Sequence, residues 1–515
     1  MSQSSHAPVT IPPMDEYNTK LVSYVHPSDW VNPTPQDEYD LVVIGAGTAG
    51  LVTAAGAAGL DIGLKVALVE RHLMGGDCLN VGCVPSKCVI RSSRVVADMR
   101  HAKPFGIEPP EHIEIDFPAV MARMRRLRAE LSHVDSAQRF QKIGVDVFLG
   151  DGHFSGTDTI QVGDRTLRFK KAVIATGARA VKPSIDGIDT VGYLTNETVF
   201  NLTERPNRLA VIGGGPIGCE LAQAFRRLGC DVILFHRGSH LLNKEDADAA
   251  DIVQQAFIQE GIQLVLNSEP IRAEKTPEGK RLYFNQDGKE QSTVVDEILA
   301  GAGRAPNVES LSLDAVGVDY DTRRGVHVDD YLQTSNPRIY AAGDICLPYK
   351  FTHIADATAR IVIKNTLFSP FGLGRSKVSD LVVPWVTYTD PEIAHVGMYE
   401  HEAQQQGIDV NTIKIGFEHV DRAVADGEDD GFLKIYHKKG SDTILGATIV
   451  AKHAGEMISE VTTAIVHNIG LSKLSGVIHP YPTQAEAIKK AADAYRRTLL
   501  TPFSKKLLSI LAKLP

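Results

Sequence analysis

The chain has 515 residues, a formal net charge of −9 and a hydrophobic content of 43%. This length predicts about two to four domains, and the acidic balance argues against nucleic acid as the main partner. Six cysteines in so long a chain do not make a disulfide scaffold, and their spacing matches no structural zinc site. The N-terminus is polar and has no apolar signal core, so we expect a cytoplasmic protein.

The first segment, residues 1–38, is a proline-rich extension with scattered apolar residues such as Tyr24 and Trp30. This pattern predicts an ordered arm that packs partly on the surface and carries no chemistry.

A β-turn-α-β unit typical of dinucleotide binding follows the extension. A short apolar strand runs into Gly45-x-Gly47-x-x-Gly50, and a helix of small residues follows this turn. Glu70 closes the next strand about 20 residues after Gly50, which is the offset of an acid that binds a ribose hydroxyl. The glycines would let the backbone approach a pyrophosphate at the helix N-terminus.

Two cysteines, Cys78 and Cys83, stand in a glycine-rich stretch from Gly75 to Lys87. Proline is tolerated in the first turn of a helix, so Pro85 predicts a helix that starts near Cys83. The helix N-terminus and the cation of Lys87 both favour a thiolate. We interpret the pair as a redox-active dithiol or disulfide. The alternatives are a structural disulfide or two buried core thiols.

The middle of the chain alternates helices and strands. Asp116 to Lys142 has helical apolar spacing with many arginines on the other face, which predicts a solvated helix near the active site. Short strands are expected from Val145 to Ala172. The run Val173-Ile174-Ala175-Thr176-Gly177 is typical of a strand that ends in a tight turn.

The second dinucleotide unit repeats the first. A strand precedes Gly213-x-Gly215-x-x-Gly218, and a helix and another strand follow. Where the first copy has an acid, this copy has His236 and Arg237. Basic residues accommodate the 2′-phosphate of NADP, so we expect NADPH and leave NADH open. The alternative is that His236 and Arg237 are only surface charges.

The last third of the chain adds two motifs and a change of character. Gly303 lies in a glycine-rich turn after an apolar strand, and Asp344 ends a later strand, where it is placed to hold ligand hydroxyls. From about Asp380 the pattern predicts an α+β module. The tail from Thr501 is basic, and its apolar residues have helical spacing, which fits a membrane surface, a partner subunit or its own domain.

The order of these motifs resembles the class I pyridine nucleotide-disulfide oxidoreductases, FAD enzymes that include glutathione reductase, dihydrolipoamide dehydrogenase and mercuric reductase. The resemblance covers about Tyr39 to Thr498 and is strongest for the mercuric reductase-like branch. It implies an α/β fold with two Rossmann-like dinucleotide-binding domains, for FAD and NAD(P), and a C-terminal α+β dimerisation domain. The implied segments are the extension (1–38), the first FAD part with the redox disulfide (39–190), the NAD(P)H domain (191–305), the second FAD or central part (306–378), the dimerisation domain (379–500) and a basic amphipathic tail (501–515).

The resemblance also implies roles for individual residues. Cys83 would be the thiolate that faces the flavin, Cys78 the outer thiol that meets substrate, and Lys87 would sit by the flavin and pair with Glu220. A homodimer would lend the Tyr481/Glu486 segment to the neighbouring active site. The implied FAD residues are Gly45, Gly47, Gly50, Glu70, Gly76, Thr176, Gly177, Gly303, Asp344 and Thr352, and the implied NADPH residues are Gly213, Gly215, Gly218, His236 and Arg237.

Several departures from the family pattern bear on the substrate. Tyr481 stands where most disulfide reductases of the family have histidine, and tyrosine is a poor base at neutral pH. His479 would face the same side of an extended segment, where it could take over the proton. The chain has no cysteine after Cys346, so it lacks the terminal pair of many mercuric reductases. Asp77 replaces a threonine, and its charge should raise the pKa of Cys78.

A further thiol, Cys88, follows Cys83 by five residues and is more typical of a small buried residue than of a third redox partner. We therefore expect an FAD-dependent enzyme that passes electrons from NADPH to the Cys78–Cys83 disulfide and on to a small-molecule disulfide or a soft metal ion. A mercuric reductase, with Cys78 and Cys83 as Hg(II) ligands, is the first alternative. A dihydrolipoamide dehydrogenase-type subunit is the second, and a flavoprotein with weak membrane contact through its tail is the third.

Overall fold

The computed structural model describes residues 9–514, so the start of the predicted extension and the last residue of the tail lie outside it. The chain divides into two compact units, and the predicted NAD(P)H segment, 191–305, contributes to both. Unit 1 contains the chain up to Gly213, Ala224–Phe235 and Glu269–Leu381, and unit 2 contains Gly214–Gln223, His236–Ser268 and the chain from Val382.

The helices and strands alternate through most of the chain. The α-helices are α1 (Glu16–Val25), α2 (Thr48–Ala58), α3 (Gly76–Asn80), α4 (Cys83–Arg100), α5 (Phe117–Leu131), α6 (Ala137–Lys142), α7 (Ile188–Val191), α8 (Pro216–Arg227), α9 (Ala247–Gln259), α10 (Thr352–Leu367), α11 (Glu400–Gln405), α12 (Asp421–Asp426), α13 (Ala454–Val466), α14 (Leu471–Leu474), α15 (Glu486–Thr498) and α16 (Pro502–Leu511). The strands are β1 (Tyr39–Ile44), β2 (Val66–Glu70), β3 (Val145–Leu149), β4 (Gly152–Gly156), β5 (Thr159–Val162), β6 (Arg165–Ile174), β7 (Ala178–Ala180), β8 (Arg208–Ile212), β9 (Asp231–His236), β10 (Gln263–Leu266), β11 (Pro270–Thr276), β12 (Gly279–Gln286), β13 (Lys289–Val295), β14 (Glu297–Ala300), β15 (Arg304–Pro306), β16 (Tyr320–Asp321), β17 (Gly325–Val326), β18 (Ile339–Ala341), β19 (Pro384–Thr387), β20 (Glu392–Gly397), β21 (Val410–Gly416), β22 (Phe432–Lys438) and β23 (Ile444–Ala451).

Unit 1 is built on a sheet in the order β3-β2-β1-β6-β5-β4, with β18 paired to β6. Strands β1, β2, β3, β6 and β18 pair in parallel, whereas β4 and β5 add antiparallel strands. Nearly every side chain of β1 and β2 is buried, because a parallel sheet is covered on both faces. The carboxyl ends of these strands meet at one edge, where ligands bind in open α/β sheets.

The N-terminal arm is ordered over its described residues, as predicted, and packs on unit 1 through one buried face. Leu21 and Val25 of α1 are fully buried. Beyond the helix, the Trp30 indole donates to the Val147 carbonyl at 3.1 Å. The apolar face of α1 and the buried Trp30 therefore add to the hydrophobic core around the sheet of unit 1.

Unit 2 contains the predicted α+β module. Its antiparallel sheet has the order β19-β20-β23-β22-β21, and α13 and α15 pack on it over a single apolar core. The architecture of the two units confirms the predicted α/β class with a C-terminal α+β module. Within residues 9–514, every helix is too short or too polar to cross a membrane.

Candidate active site

Cys78 and Cys83 lie together in unit 1, with Cys83 at the N-terminal end of the long helix α4. Cys78 is on the short helix α3, and α4 begins at Cys83, where Pro85 predicted it. The two thiols share a hydrogen bond. The Thr352 hydroxyl, on the first residue of α10, lies 3.2 Å from the Cys83 sulfur. Two helix N-termini therefore converge on the dithiol, and their dipoles favour negative charge on sulfur.

The pKa of Cys78 is raised above its ordinary value. Its hydrogen bond to Cys83 is the largest cause, burial is the second, and the nearby Asp135 carboxylate adds to them, whereas a hydrogen bond from Thr352 opposes the rise. The pKa of Cys78 is therefore raised, as predicted, but the prediction that the charge of Asp77 raises it is wrong. The charge of Asp77 is compensated by a salt bridge to Arg304.

Arg304 is a site residue that sequence reasoning missed. Its guanidinium donates to Asp77 and, at 2.6 Å, to the Ala178 carbonyl, and its Nε lies 3.7 Å from Asp344. Burial alone would lower the pKa of Arg304, but the charges of Asp77 and Asp344 outweigh it and hold the pKa above its usual value. Burial raises the pKa of Asp344 in spite of that cation. Arg304 thus ties the cysteine loop to the strand-end aspartate.

The first glycine turn has the shape of a dinucleotide cradle. Gly45 adopts φ +100°, and a side chain there would place a Cβ 2.4 Å from the Ala175 carbonyl oxygen. Glu70 accepts a hydrogen bond from the Ala46 amide at 2.6 Å, and burial raises its pKa. A cleft at this sheet edge is lined by Gly45, Glu70 and Thr176 together with Asn307.

Thr176 and Asn307 close this cleft by exchanging two hydrogen bonds, at 2.8 and 2.9 Å. The Gly177 carbonyl accepts the Asn307 amide at 3.0 Å, and the Gly303 carbonyl accepts the Val181 amide at 3.0 Å. The cleft, the glycine turn and the strand-end acid fit the ADP portion of FAD. Asn307 could have been found from its place in the glycine-rich turn that contains Gly303.

Gly76 joins the cysteine loop to this turn. A Cβ on Gly76 would lie 2.6 Å from the Gly47 Cα, and Gly76 has φ +55°. Gly50 packs in the same way against Gly45, since a Cβ there would lie 1.7 Å from the Gly45 oxygen. At Gly76, the backbone of the cysteine loop therefore contacts the backbone of the first glycine turn.

The second glycine turn places His236 where Glu70 stands in the first. In unit 2 the Gly214 amide donates to His236 Nδ1 at 3.2 Å, and His236 is buried, whereas Arg237 is exposed. The alternative that both are surface charges is therefore wrong for His236. Gly213, Gly215 and Gly218 occupy the turn and the first residues of α8.

Glu220 is buried on α8 and accepts the Tyr388 amide at 3.0 Å. Lys87 lies on α4, one turn after Cys83. The pairing of Lys87 with Glu220 stays a prediction.

Tyr481 and His479 have different environments, so the expectation that they face the same side is wrong, while the replacement of Tyr481 by His479 as proton carrier stays a prediction. Tyr481 is 71% exposed and donates to Asp421 at 2.8 Å, which raises its pKa. The His479 ring is largely buried and bonds to Glu460 at 2.8 Å. Glu486 begins α15, and its Oε2 atom is buried with no hydrogen-bond partner within the described residues.

Asp135 is a second residue that sequence reasoning missed. The predicted single helix from Asp116 to Lys142 is in fact α5, a 3₁₀ turn over Ser132–Asp135, and α6. This break brings Asp135 Oδ2 to 3.0 Å from the position of a Cβ on Gly75, at the start of the cysteine loop. Burial raises the pKa of Asp135.

The arginines of α5 support the cysteine loop, so the expected solvated face is wrong for Arg125 and Arg128. Arg128 is 1% exposed and donates to the Asn80 carbonyl and to Asn18 Oδ1, both at 2.6 Å. Arg125 pairs with Asp15, the residue that caps α1. The arm is therefore linked through α5 to the segment between the two cysteines.

Cys88 lies on α4 and is half-buried, and burial raises the pKa of its thiol. These properties fit a packed residue better than a third redox thiol.

Comparison with known proteins gives consistent matches over most of the chain. Residues 39–360 match the family model for pyridine nucleotide-disulphide oxidoreductases, and residues 383–492 match its dimerisation domain. A mercuric reductase of Lysinibacillus sphaericus is 34% identical, over 90% of this chain and 84% of that protein. A dihydrolipoyl dehydrogenase of Chlamydia muridarum is also 34% identical, over 88% of this chain and 96% of that protein. A solved structure, the Cu(II) complex of the HOCl-induced flavoprotein disulfide reductase RclA from Escherichia coli, superposes with a TM-score of 0.77 at 26% identity, covering 87% of this chain and 98% of that one.

Proposed function

The chain belongs to the pyridine nucleotide-disulphide oxidoreductase family, whose members use FAD and NAD(P)H, and we propose that it passes electrons from NADPH through Cys78 and Cys83 to a soft metal ion. The observation that carries this proposal is the dithiol itself. Two sulfur atoms within hydrogen-bond distance, at converging helix N-termini, form a bidentate soft ligand. The 34% identical mercuric reductase and the Cu(II) complex of RclA support a metal acceptor.

Bound FAD would supply the electron relay between NADPH and the dithiol. Gly45, Gly47, Glu70 and Thr176 would hold its ADP portion, and Asp344 would bind ligand hydroxyls beside Arg304. Gly50, Gly76, Gly177, Gly303 and Thr352 would complete that site.

On the NADPH side, the glycines at 213, 215 and 218 would receive the pyrophosphate. His236 would order the turn, and the exposed Arg237 would meet the 2′-phosphate. The match to the dimerisation domain supports a homodimer, in which Tyr481 and Glu486 would serve the neighbouring subunit.

The metal reaction needs no general base in the protein, because a coordinating metal ion deprotonates a thiol outright. The two sulfurs bind Hg(II) in place of two external thiolate ligands, which take up the two protons that Cys78 and Cys83 release. Two electrons that originate on NADPH then convert Hg(II) to Hg(0), and the freed cysteine thiolates take up protons from NADPH and solvent. Tyr481, with its pKa raised, is suited to donate a hydrogen bond rather than to accept a proton.

A small disulfide is the second candidate acceptor, and the charge of Asp135 near Cys78 favours it. Cys78 would give its proton to Asp135 and attack one acceptor sulfur, so that the other leaves as a thiolate and takes up a proton. Cys83 would then displace the first sulfur and close the Cys78–Cys83 disulfide. The acceptor gains two electrons and two protons, which NADPH and solvent replace.

The test is NADPH oxidation by the purified, FAD-loaded protein, with Hg(II) in excess thiol or with small disulfides as acceptors. We expect Hg(II) to support turnover in the wild type and in the matched control Cys88→Ser, but not in Cys83→Ser. Turnover with disulfides alone would refute the metal proposal, and an absence of turnover with either acceptor would refute both.

Asp135→Asn separates the two candidate acceptors. It should slow disulfide turnover by about a hundredfold and change its pH profile, because a general base is lost. Metal reduction should stay within about threefold. Equal loss with both acceptors would contradict the proton-acceptor role of Asp135.

A further inference from the structure

The last helix of unit 2, α16, presents its apolar side chains to solvent. None of its residues is buried. Phe503 is 78% exposed, and Ile510 is 53% exposed. Leu499 and Leu500, which connect α15 to α16, are also exposed. The expectation that this helix docks on its own domain is therefore wrong.

In α16 and the three residues after it, 512–514, helical spacing gathers most of the apolar side chains on one side. At about 100° per residue, Phe503, Leu507, Ile510 and Leu514 fall within one narrow sector, with Leu511 beside it. Lys505 falls opposite this sector, Lys506 and Lys513 flank it on the side away from Leu511, and Leu508 lies outside it. We call the first set (Phe503, Leu507, Ile510, Leu511 and Leu514) the apolar tail face. Thr501 caps the helix by accepting the Ser504 amide, so the helix has a defined start.

The charge of this segment is opposite to that of the whole chain. From residue 494 to residue 514 there are no acidic residues, whereas the full chain carries a net charge of −9. The cations of the segment are Arg496, Arg497, Lys505, Lys506 and Lys513. Lysines beside and opposite an exposed apolar face are the pattern of helices that lie in a membrane interface.

We infer that α16 docks the protein on the surface of an anionic phospholipid bilayer, with the apolar tail face in the acyl boundary and the lysines among the headgroups. A helix of 10 residues is about 15 Å long, half the hydrocarbon thickness of about 30 Å, so it lies along the surface. Charge complementarity selects this occupant over a second copy of the chain, since two copies of this segment would repel each other.

The inference does not depend on the proposed metal acceptor. It concerns where the protein works, and α16 belongs to unit 2 whereas the dithiol belongs to unit 1.

The test is co-sedimentation of the full-length, FAD-loaded protein with vesicles of phosphatidylglycerol and phosphatidylcholine, or of phosphatidylcholine alone. We expect binding to the anionic vesicles only, weakened at least tenfold by L507S/I510S and by high salt, and reduced by K505Q/K506Q. Val424→Ser removes an equally exposed apolar side chain elsewhere in unit 2 and is the matched control.

NADPH oxidation by each variant, which should equal that of the wild type, shows that the variants are folded. An absence of sedimentation, or binding that L507S/I510S leaves unchanged, would overturn the inference. So would a change from dimer to monomer in L507S/I510S by light scattering, because the apolar tail face would then belong to a second copy.

Discussion

Arg128→Met should release the N-terminal arm from the cysteine loop. The guanidinium is fully buried and makes two hydrogen bonds of 2.6 Å, to Asn18 Oδ1 on α1 and to the Asn80 carbonyl between the two cysteines. Methionine fills much of the same volume but leaves both acceptors buried and unpaired. Each unpaired acceptor costs about 1–3 kcal/mol, so we expect local stability to fall by about 4 kcal/mol.

Hydrogen–deuterium exchange of α1 measures this change directly. At about 1.4 kcal/mol per factor of ten, exchange of the α1 amides should accelerate on the order of a thousandfold. Arg126→Met on the same helix is the matched control, because Arg126 is exposed and only pairs with Glu130 at 2.7 Å. Such exposed pairs contribute about 0–1 kcal/mol.

Arg128→Lys keeps the charge with a different donor geometry, and we expect it to fall between the wild type and Arg128→Met. This variant keeps the test informative if Arg128→Met does not fold. Equal exchange of α1 in Arg128→Met and Arg126→Met would refute the idea that Arg128 couples the arm to the loop.

Three further changes test other parts of the structure. Gly76→Ala should abolish FAD retention, measured by flavin absorbance of the purified protein, because its Cβ would lie 2.6 Å from the Gly47 Cα; normal flavin content would contradict this contact. Thr352→Val removes a hydrogen bond that lowers the pKa of Cys78, so the pH midpoint of Cys78 alkylation, followed by mass spectrometry, should rise, and a fall would contradict the assignment. Burial lowers the pKa of His395 to about 4, below its unfolded value near 6.5. The stability contributed by keeping this ring neutral is therefore present above pH 6.5 and lost as pH falls toward 4. The loss is about 3 kcal/mol and should be visible in thermal unfolding; His395→Gln should remove this pH dependence.

Local motifs were predictable from sequence because each depends on chemistry within one turn or strand. The glycine turns, Glu70, the helix start at Cys83 and the strand-end Asp344 were all placed correctly along the chain. The family assignment follows from the order of these motifs.

The residues that support the cysteine loop, Asp135 and Arg304, could not be predicted, because their contacts join segments distant in sequence. Asp135 and Cys78 are separated by the whole of α4 and α5, and a break in the helix, which the apolar spacing did not reveal, brings them near each other. Arg304 reaches Asp77 across 227 residues.

By itself, the sequence determined the α/β class, the two glycine turns, the start of the cysteine-bearing helix and the cofactor types, because glycine, proline and cysteine spacing constrain the backbone locally. Only the tertiary structure decided which residues of the arm are buried, that Arg128 faces inward, that His479 is held by Glu460 and that α16 is exposed. Arginine and leucine have the same helical periodicity whether their partner is solvent or protein. The identity of that partner depends on which distant surface packs against the helix.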